Sequence, residues 1–186
     1  MTRLRFFSLA AALAVALPLG AAATDYIVQP ATSTLGFSAT FQGEAFIGHF
    51  TRWTAAIRYD PAQLATAKFD VNVIPASAVT GDKDRDTALP GADFFNVATF
   101  PAAHFVTTAF HQNGTQVIAD GNLTLHGQTR PLSLLVTFKP QGNGATLEVS
   151  GTVKRLDFGV GGGDYADTSV IGPDVKISAH LVLAPK

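Results

Sequence analysis

Period-two alternation of apolar and polar residues limits this chain more than any other feature. Leu35, Phe37, Ala39 and Phe41 alternate with Gly36, Ser38 and Thr40. The same rhythm returns at Trp53-Ala55-Ile57-Tyr59, Phe69-Val71-Val73, Ala103-Phe105-Thr107, Val117 to Leu125, Leu132 to Phe138, Leu147 to Val153, and Val175 to Leu183. Successive side chains of a strand point to opposite faces, so each run reads as a half-buried strand. Asn113-Gly114 and Gly142-Asn143-Gly144 supply hairpin turns, and Asp60-Pro61 ends a strand with one helical turn at residues 61–64. A slip of phase between Phe50 and Trp53 indicates a bulge. Eight evenly spaced strands with no long amphipathic helix predict an all-β fold, an eight-stranded antiparallel barrel. A two-sheet sandwich would use the same strands but leave the edges that closure removes.

One stretch breaks the rhythm. Between Arg85 and Phe105 a charged run (Asp82 to Asp86) gives way to Leu89, Pro90-Gly91, Asp93-Phe94-Phe95-Asn96 and Phe100-Pro101. Loops lie at the surface, and one this apolar is costly to leave in water. Leu89, Phe94, Phe95 and Phe100 are therefore expected to fold back as a short helical or loop plug over one end of the barrel.

The first residues belong to export rather than to the fold. Arg3 and Arg5 precede an apolar run from Phe6 to Leu19, and Ala21-Ala22-Ala23 fits a small-residue cleavage site. The run, about 14 residues, is short of the ~20 that span a bilayer. Residues 1–23 are read as a signal peptide and residues 24–186 as one domain, with a periplasmic or secreted destination. The absence of cysteine leaves the core to hold an exported protein without disulfides. Without Arg3 and Arg5 the chain carries 11 basic against 14 acidic residues. That balance excludes a nucleic-acid binder and offers no patch for anionic lipid.

Eight strands enclose either packed side chains or one ligand. Fourteen phenylalanines with few charges point to a large apolar interior. Gly121, Gly151, Ala39, Ala55, Ala119 and Ala179 on the inward faces favour a cavity within it.

The order of motifs resembles the YceI-like family of exported, lipocalin-like lipid carriers. It runs through Gly48-His49-Phe50, Trp53, Ile57, Tyr59-Asp60, then Arg85-Asp86 with Leu89, Asp93-Phe94-Phe95, and Phe100-Pro101 with Phe105. Gly121 with Leu123-Thr124 and Gly127, Arg155 with Asp157-Phe158-Gly159, and Val175-Lys176-Ile177 complete it. The resemblance spans Asp25 to Leu183. It departs at Asn96, where an aspartate is expected, and at Ala31-Thr32-Ser33-Thr34, which lacks a histidine before the serine. The resemblance implies a lipocalin-like barrel holding one polyisoprenoid, quinone or similar long-chain apolar molecule; proteins of this kind often form homodimers.

Phe37, Phe41, Trp53, Ile57, Phe69, Val71, Phe105, Leu123, Leu134 and Val136 are the positions expected to line such a cavity, with Leu89, Phe94 and Phe95 closing its end. Core and lining share one sequence signature, so each is equally an ordinary core residue. Arg85, Asp86 and Arg155 are candidates for a polar head group, since arginine donates to oxygen; the alternative is that each orients its own loop. His49, His104, His111, His126 and His180 show no ligand-pair spacing, and no metal or other cofactor is expected. No nucleophile elbow accompanies the serines, and Gly159 to Gly163 lacks the lysine of a phosphate loop. The chain is thus expected to be a binding protein with no catalytic residues. A lipid-acting enzyme using Asp86, His49 or Arg155, and a barrel filled by its own side chains, remain the alternatives.

Overall fold

The eight strands that the alternation predicts appear, among the described residues, as eleven segments. A computed structural model describes residues 23–186; the expected leader, residues 1–23, lies outside them but for Ala23. In chain order the strands are β1 (Thr24–Val28), β2 (Thr34–Phe41), β3 (Glu44–Phe50), β4 (Trp53–Tyr59), β5 (Lys68–Val73) and β6 (Ala78–Val79). A short helix, α1 (Lys83–Ala88), follows. Then come β7 (Ala103–Asn113), β8 (Gln116–Leu125), β9 (Gln128–Gln141), β10 (Gly144–Lys154) and β11 (Asp174–Pro185).

The eleven strands make eight staves of one closed antiparallel barrel. β1 and β2 lie end to end along one edge of β11, with Val28 opposite Leu183 and Thr34 opposite His180. β3 and β4 form the second stave, pairing with β2 and β1 in turn. β5 and β6 form the third, against β4 and β3. The remaining five strands are unbroken, and contact between β1 and β11 closes the ring. The phase slip at Phe50 to Trp53 is thus a break in the stave, not a bulge. Thr51 and Arg52 leave the ladder there and donate to Ser77 O (3.1 Å) and Ser77 Oγ (3.0 Å). A true bulge occurs elsewhere, between Thr107 and Ala109. It turns Phe110 inward, where the earlier rhythm would have placed Ala109. The helical turn expected at residues 61–64 forms slightly later, at Leu64–Thr66.

One end of the barrel is a packed aromatic floor. Tyr59 stands 5.8 Å from Phe69, 5.9 Å from Phe110 and 5.0 Å from Phe138, with Phe69 edge-on to Phe110 at 4.9 Å. These four rings come from four different staves. Each such pair contributes about 0.5–1.5 kcal/mol beyond the burial of its area. Burial also holds the Tyr59 phenol above its ordinary pKa.

At the other end the sheet stops at β6, which pairs with β3 alone. The non-alternating stretch fills the opening. Asp82 caps α1 by accepting from the Arg85 N–H at 2.9 Å. Turns then bring Leu89 and Phe95 into a core with Phe37, Val153, Phe158 and Val160. The expected plug is therefore present, with Leu89 and Phe95 as its buried wedge.

Candidate functional site

Between floor and plug lies an apolar chamber of about 180 Å³. Its wall takes Leu147, Val149 and Val153 from β10, so it extends six residues, or about 20 Å, along that strand. Ile57 and Phe69 face it near the floor, Phe95 and Val160 near the plug. No polar atom is exposed on its surface. The free volume exceeds the roughly 150 Å³ of an engineered dry cavity that takes up benzene.

Glycines do not create this space. A Cβ on Gly121 would sit 2.6 Å from the tip of the Phe105 ring, and one on Gly151 would sit 2.5 Å from a Leu134 methyl. Both positions lie under a neighbour's side chain. Ala119 is fully buried in the core, whereas Ala55, Ala103 and Ala179 do border the chamber. The inward pattern alone could not separate the alanines that border the chamber from the packed one.

Of the positions expected to line the chamber, Trp53, Ile57, Phe69, Val71, Phe105, Leu123 and Leu134 do so, and Phe95 forms part of its roof. Four others do not. Val136 is buried in the surrounding core. Phe37 points inward but lies beneath the plug, 5.2 Å from Phe50 and against Gly48. Phe94 packs on Tyr165 at 5.0 Å, and Leu89 belongs to the plug core. Phe41 is a correction of a different kind. It stands beyond the rim, 42% exposed, where its backbone bridges to Ile171. Sequence reasoning missed Leu35, Phe50 and Val73, which border the chamber; Leu35 and Phe50 flank breaks in their staves, where local rhythm carries no information about the bend.

The structure places all three head-group candidates at the plug end, where each makes contacts within the protein. Arg155 is 3% exposed and spends its guanidinium on backbone carbonyls alone. Nε donates to Gly172 O at 3.0 Å, Nη1 to Val160 O at 3.0 Å and to Gly161 O, and Nη2 to Tyr165 O and Ile171 O, both at 2.9 Å. Burial lowers its pKa from the ordinary arginine value. It touches the chamber only through its hydrocarbon stem. Asp86 Oδ1 accepts from Thr80 N (2.7 Å) and Thr80 Oγ1 (2.6 Å), which ties α1 to the end of β6. The hydroxyl of Thr80 is the main reason the Asp86 carboxyl sits below its ordinary pKa. Arg85 lies 3.9 Å above the Phe46 ring and donates to Thr80 Oγ1.

The histidines are dispersed. His104, His111 and His180 pair with Asp70 (2.9 Å), Asp120 (3.1 Å) and Glu148 (2.5 Å) across neighbouring strands. His126 occupies the two-residue β8–β9 turn with Gly127, both at positive φ, the geometry that such a hairpin requires. Its Nδ1 lies 2.9 Å from Phe158 O, a pure acceptor, so Nδ1 carries the proton. Among the described residues no three His, Asp or Glu side chains gather as metal ligands would.

A closed antiparallel barrel with a capped, wholly apolar interior places the chain, by its fold, among barrels that enclose an apolar chamber. The comparisons narrow that class. The profile of the YceI-like domain matches residues 26–183, so the chain belongs to this family. A UPF0312 protein of Pseudomonas savastanoi is 32% identical over 152 residues, covering 76% of this chain and 79% of its own. The crystal structure of Burkholderia cenocepacia BcnA superposes with a TM-score of 0.80 at 30% identity, covering 84% of this chain and 99% of that one. A domain from Saccharophagus degradans, described as polyisoprenoid binding and implicated in plant cell wall breakdown, superposes at 0.67. It covers 88% of this chain and 99% of its own, and at 14% identity it shares the fold alone.

Proposed function

We infer that the protein is an exported carrier or store for one long-chain amphiphile of the isoprenoid type, a polyprenyl compound or an isoprenoid quinone. The observation that carries this reading is the chamber lined wholly by apolar atoms from Phe69 to Phe95. Each methylene taken from water contributes about 0.8 kcal/mol, so a chain of several isoprene units binds firmly without a polar contact. The description of the Saccharophagus domain as polyisoprenoid binding points the same way. Binding rather than catalysis follows from a chamber wall that exposes no group able to move a proton or attack a bond. Export to the periplasm or beyond rests on the apolar leader of residues 6–19.

Trp53 supplies the test. It is the single tryptophan of the chain and borders the chamber. Titration with geranylgeraniol should give a saturable change in its emission with one molecule bound per protein. A flat titration, with the prenol recovered unbound by gel filtration, overturns the reading.

A further inference from the structure

The barrel wall carries a lateral seam. Three staves are broken, and each break is sewn to a neighbour. The break in β3–β4 is sewn to Ser77, between β5 and β6. The break in β1–β2 is sewn to β11 by Gln29 N to Val182 O (2.8 Å) and Val182 N to Ser33 Oγ (2.9 Å). The first two staves are not sewn to each other. Their ladder stops at Ile27 opposite Ala56 and resumes at Gly36 opposite His49. No hydrogen bond joins residues 29–34 to residues 51–54 among the described residues. Lengths explain the gap. Residues 28–35 must bridge the same interval as residues 50–55, so the longer segment turns outward at Pro30–Thr32, and Pro30 has no N–H to offer across it.

An outer cleft of about 560 Å³ occupies this seam. Leu35, Phe50, Trp53 and Ala55 border both the cleft and the inner chamber, so the wall between them is one side chain thick. The cleft carries polar groups among its apolar ones, as the chamber does not: Ser33, Thr34, His49, Thr51 and Thr54 border it, and Lys186 is its one charged residue. Ser33 is 9% exposed, and its Oγ accepts from Val182 N–H, while its own proton has no acceptor among the described residues. A buried hydroxyl with an unspent donor calls for an oxygen acceptor. Ile27, half exposed, adds an apolar sill at the outer edge.

We propose that this seam is the portal of the chamber and holds the polar end of the bound amphiphile. It rests on the carrier reading above. The apolar chain passes between Leu35, Phe50, Trp53 and Ala55 toward the floor, and an uncharged oxygen of the head group, a quinone carbonyl or a prenol hydroxyl, accepts from Ser33. A diphosphate fits less well, because hydroxyls and a lone lysine do not supply the several charge-assisted donors that such a group takes up. The plug then has no role in admission; it is the fixed end of the chamber, which accords with Arg85, Asp86 and Arg155 being spent on internal anchors.

Photo-crosslinking of the unmodified protein distinguishes the two ends. Two geranylgeranyl probes are needed, one with a diazirine at the hydroxyl-bearing end and one with it at the far end of the chain. Peptide mapping should place the first on residues 27–35 and 49–56, and the second beside Phe69, Ile57 or Leu147 at the floor. Head-end adducts on residues 89–100 or 155–165 overturn the portal while leaving the carrier reading intact. Absence of adducts with both probes, together with an unchanged Trp53 emission, removes both.

Discussion

The floor and the plug bury comparable aromatic groups, yet they are held in opposite ways. At the floor, Tyr59, Phe69, Phe110 and Phe138 project from four staves that are paired to their neighbours by backbone ladders, with one bulge beside Phe110. At the plug, Leu89 and Phe95 sit on turns, and the loops above them are fixed by side chains reaching to backbone, chiefly Arg155 and Asp86. Packing spread over many strands yields only when the whole sheet does. A segment pinned at a few polar anchors opens by itself when those anchors fail. The difference separates what holds the chamber open from what caps it.

The largest effect is expected at the floor. Phe69→Ala should cost about 3–5 kcal/mol, as for other buried phenylalanines. The loss should appear as one cooperative transition in denaturant, shared by floor and plug probes alike. Arg155→Met should come next, at about 3 kcal/mol, because it leaves buried carbonyls without donors. Hydrogen exchange should then quicken at residues 156–172 while the β10 and β11 amides near Leu147 and Leu181 stay protected; uniform deprotection would erase the contrast between the two ends. Leu89→Ala is expected to cost about 2 kcal/mol, the low end for such a truncation, since turns resettle more readily than strands. Its signature is faster exchange at the Phe95 amide, which bonds Leu89 O at 3.0 Å.

The smallest effect is the response to acid. The Asp86 carboxyl is held below its ordinary value by Thr80, and that of Asp167 by Ser169. A depressed carboxylate contributes stability that is complete above its unfolded pKa, about 3.9, and is lost as pH falls through the lower folded value. Loosening of the plug should therefore begin below about pH 3.9 and shrink in Asp86→Asn. Asp25, lowered by its hydrogen bond to Arg58, lies at the floor end but on the surface, where such pairs contribute little. Acid should thus loosen the plug before the floor, and the reverse order would break the comparison.

The sheet was legible because inward residues repeat every second position, a signal that each strand carries alone. The strand breaks were not legible as breaks, because the slip at Thr51-Arg52 reads equally as a bulge within one strand and the partners that sew the breaks, Val182 and Ser77, are distant in sequence. The plug could be read from apolar residues where a loop should be polar. What its charges do could not, since Arg155 is satisfied by carbonyls, and every residue has one. Phe37 and Phe41 share the phase of Leu35, yet position along the stave decides among chamber, plug core and solvent. That coordinate depends on the register of β2 against β11 rather than on alternation.

The most direct test is native mass spectrometry of the protein purified from cells without detergent stripping. The account predicts a second mass series, heavier by one isoprenoid or quinone molecule and lost on organic extraction. A single apo mass after mild purification, with no lipid recovered in the extract, would contradict it.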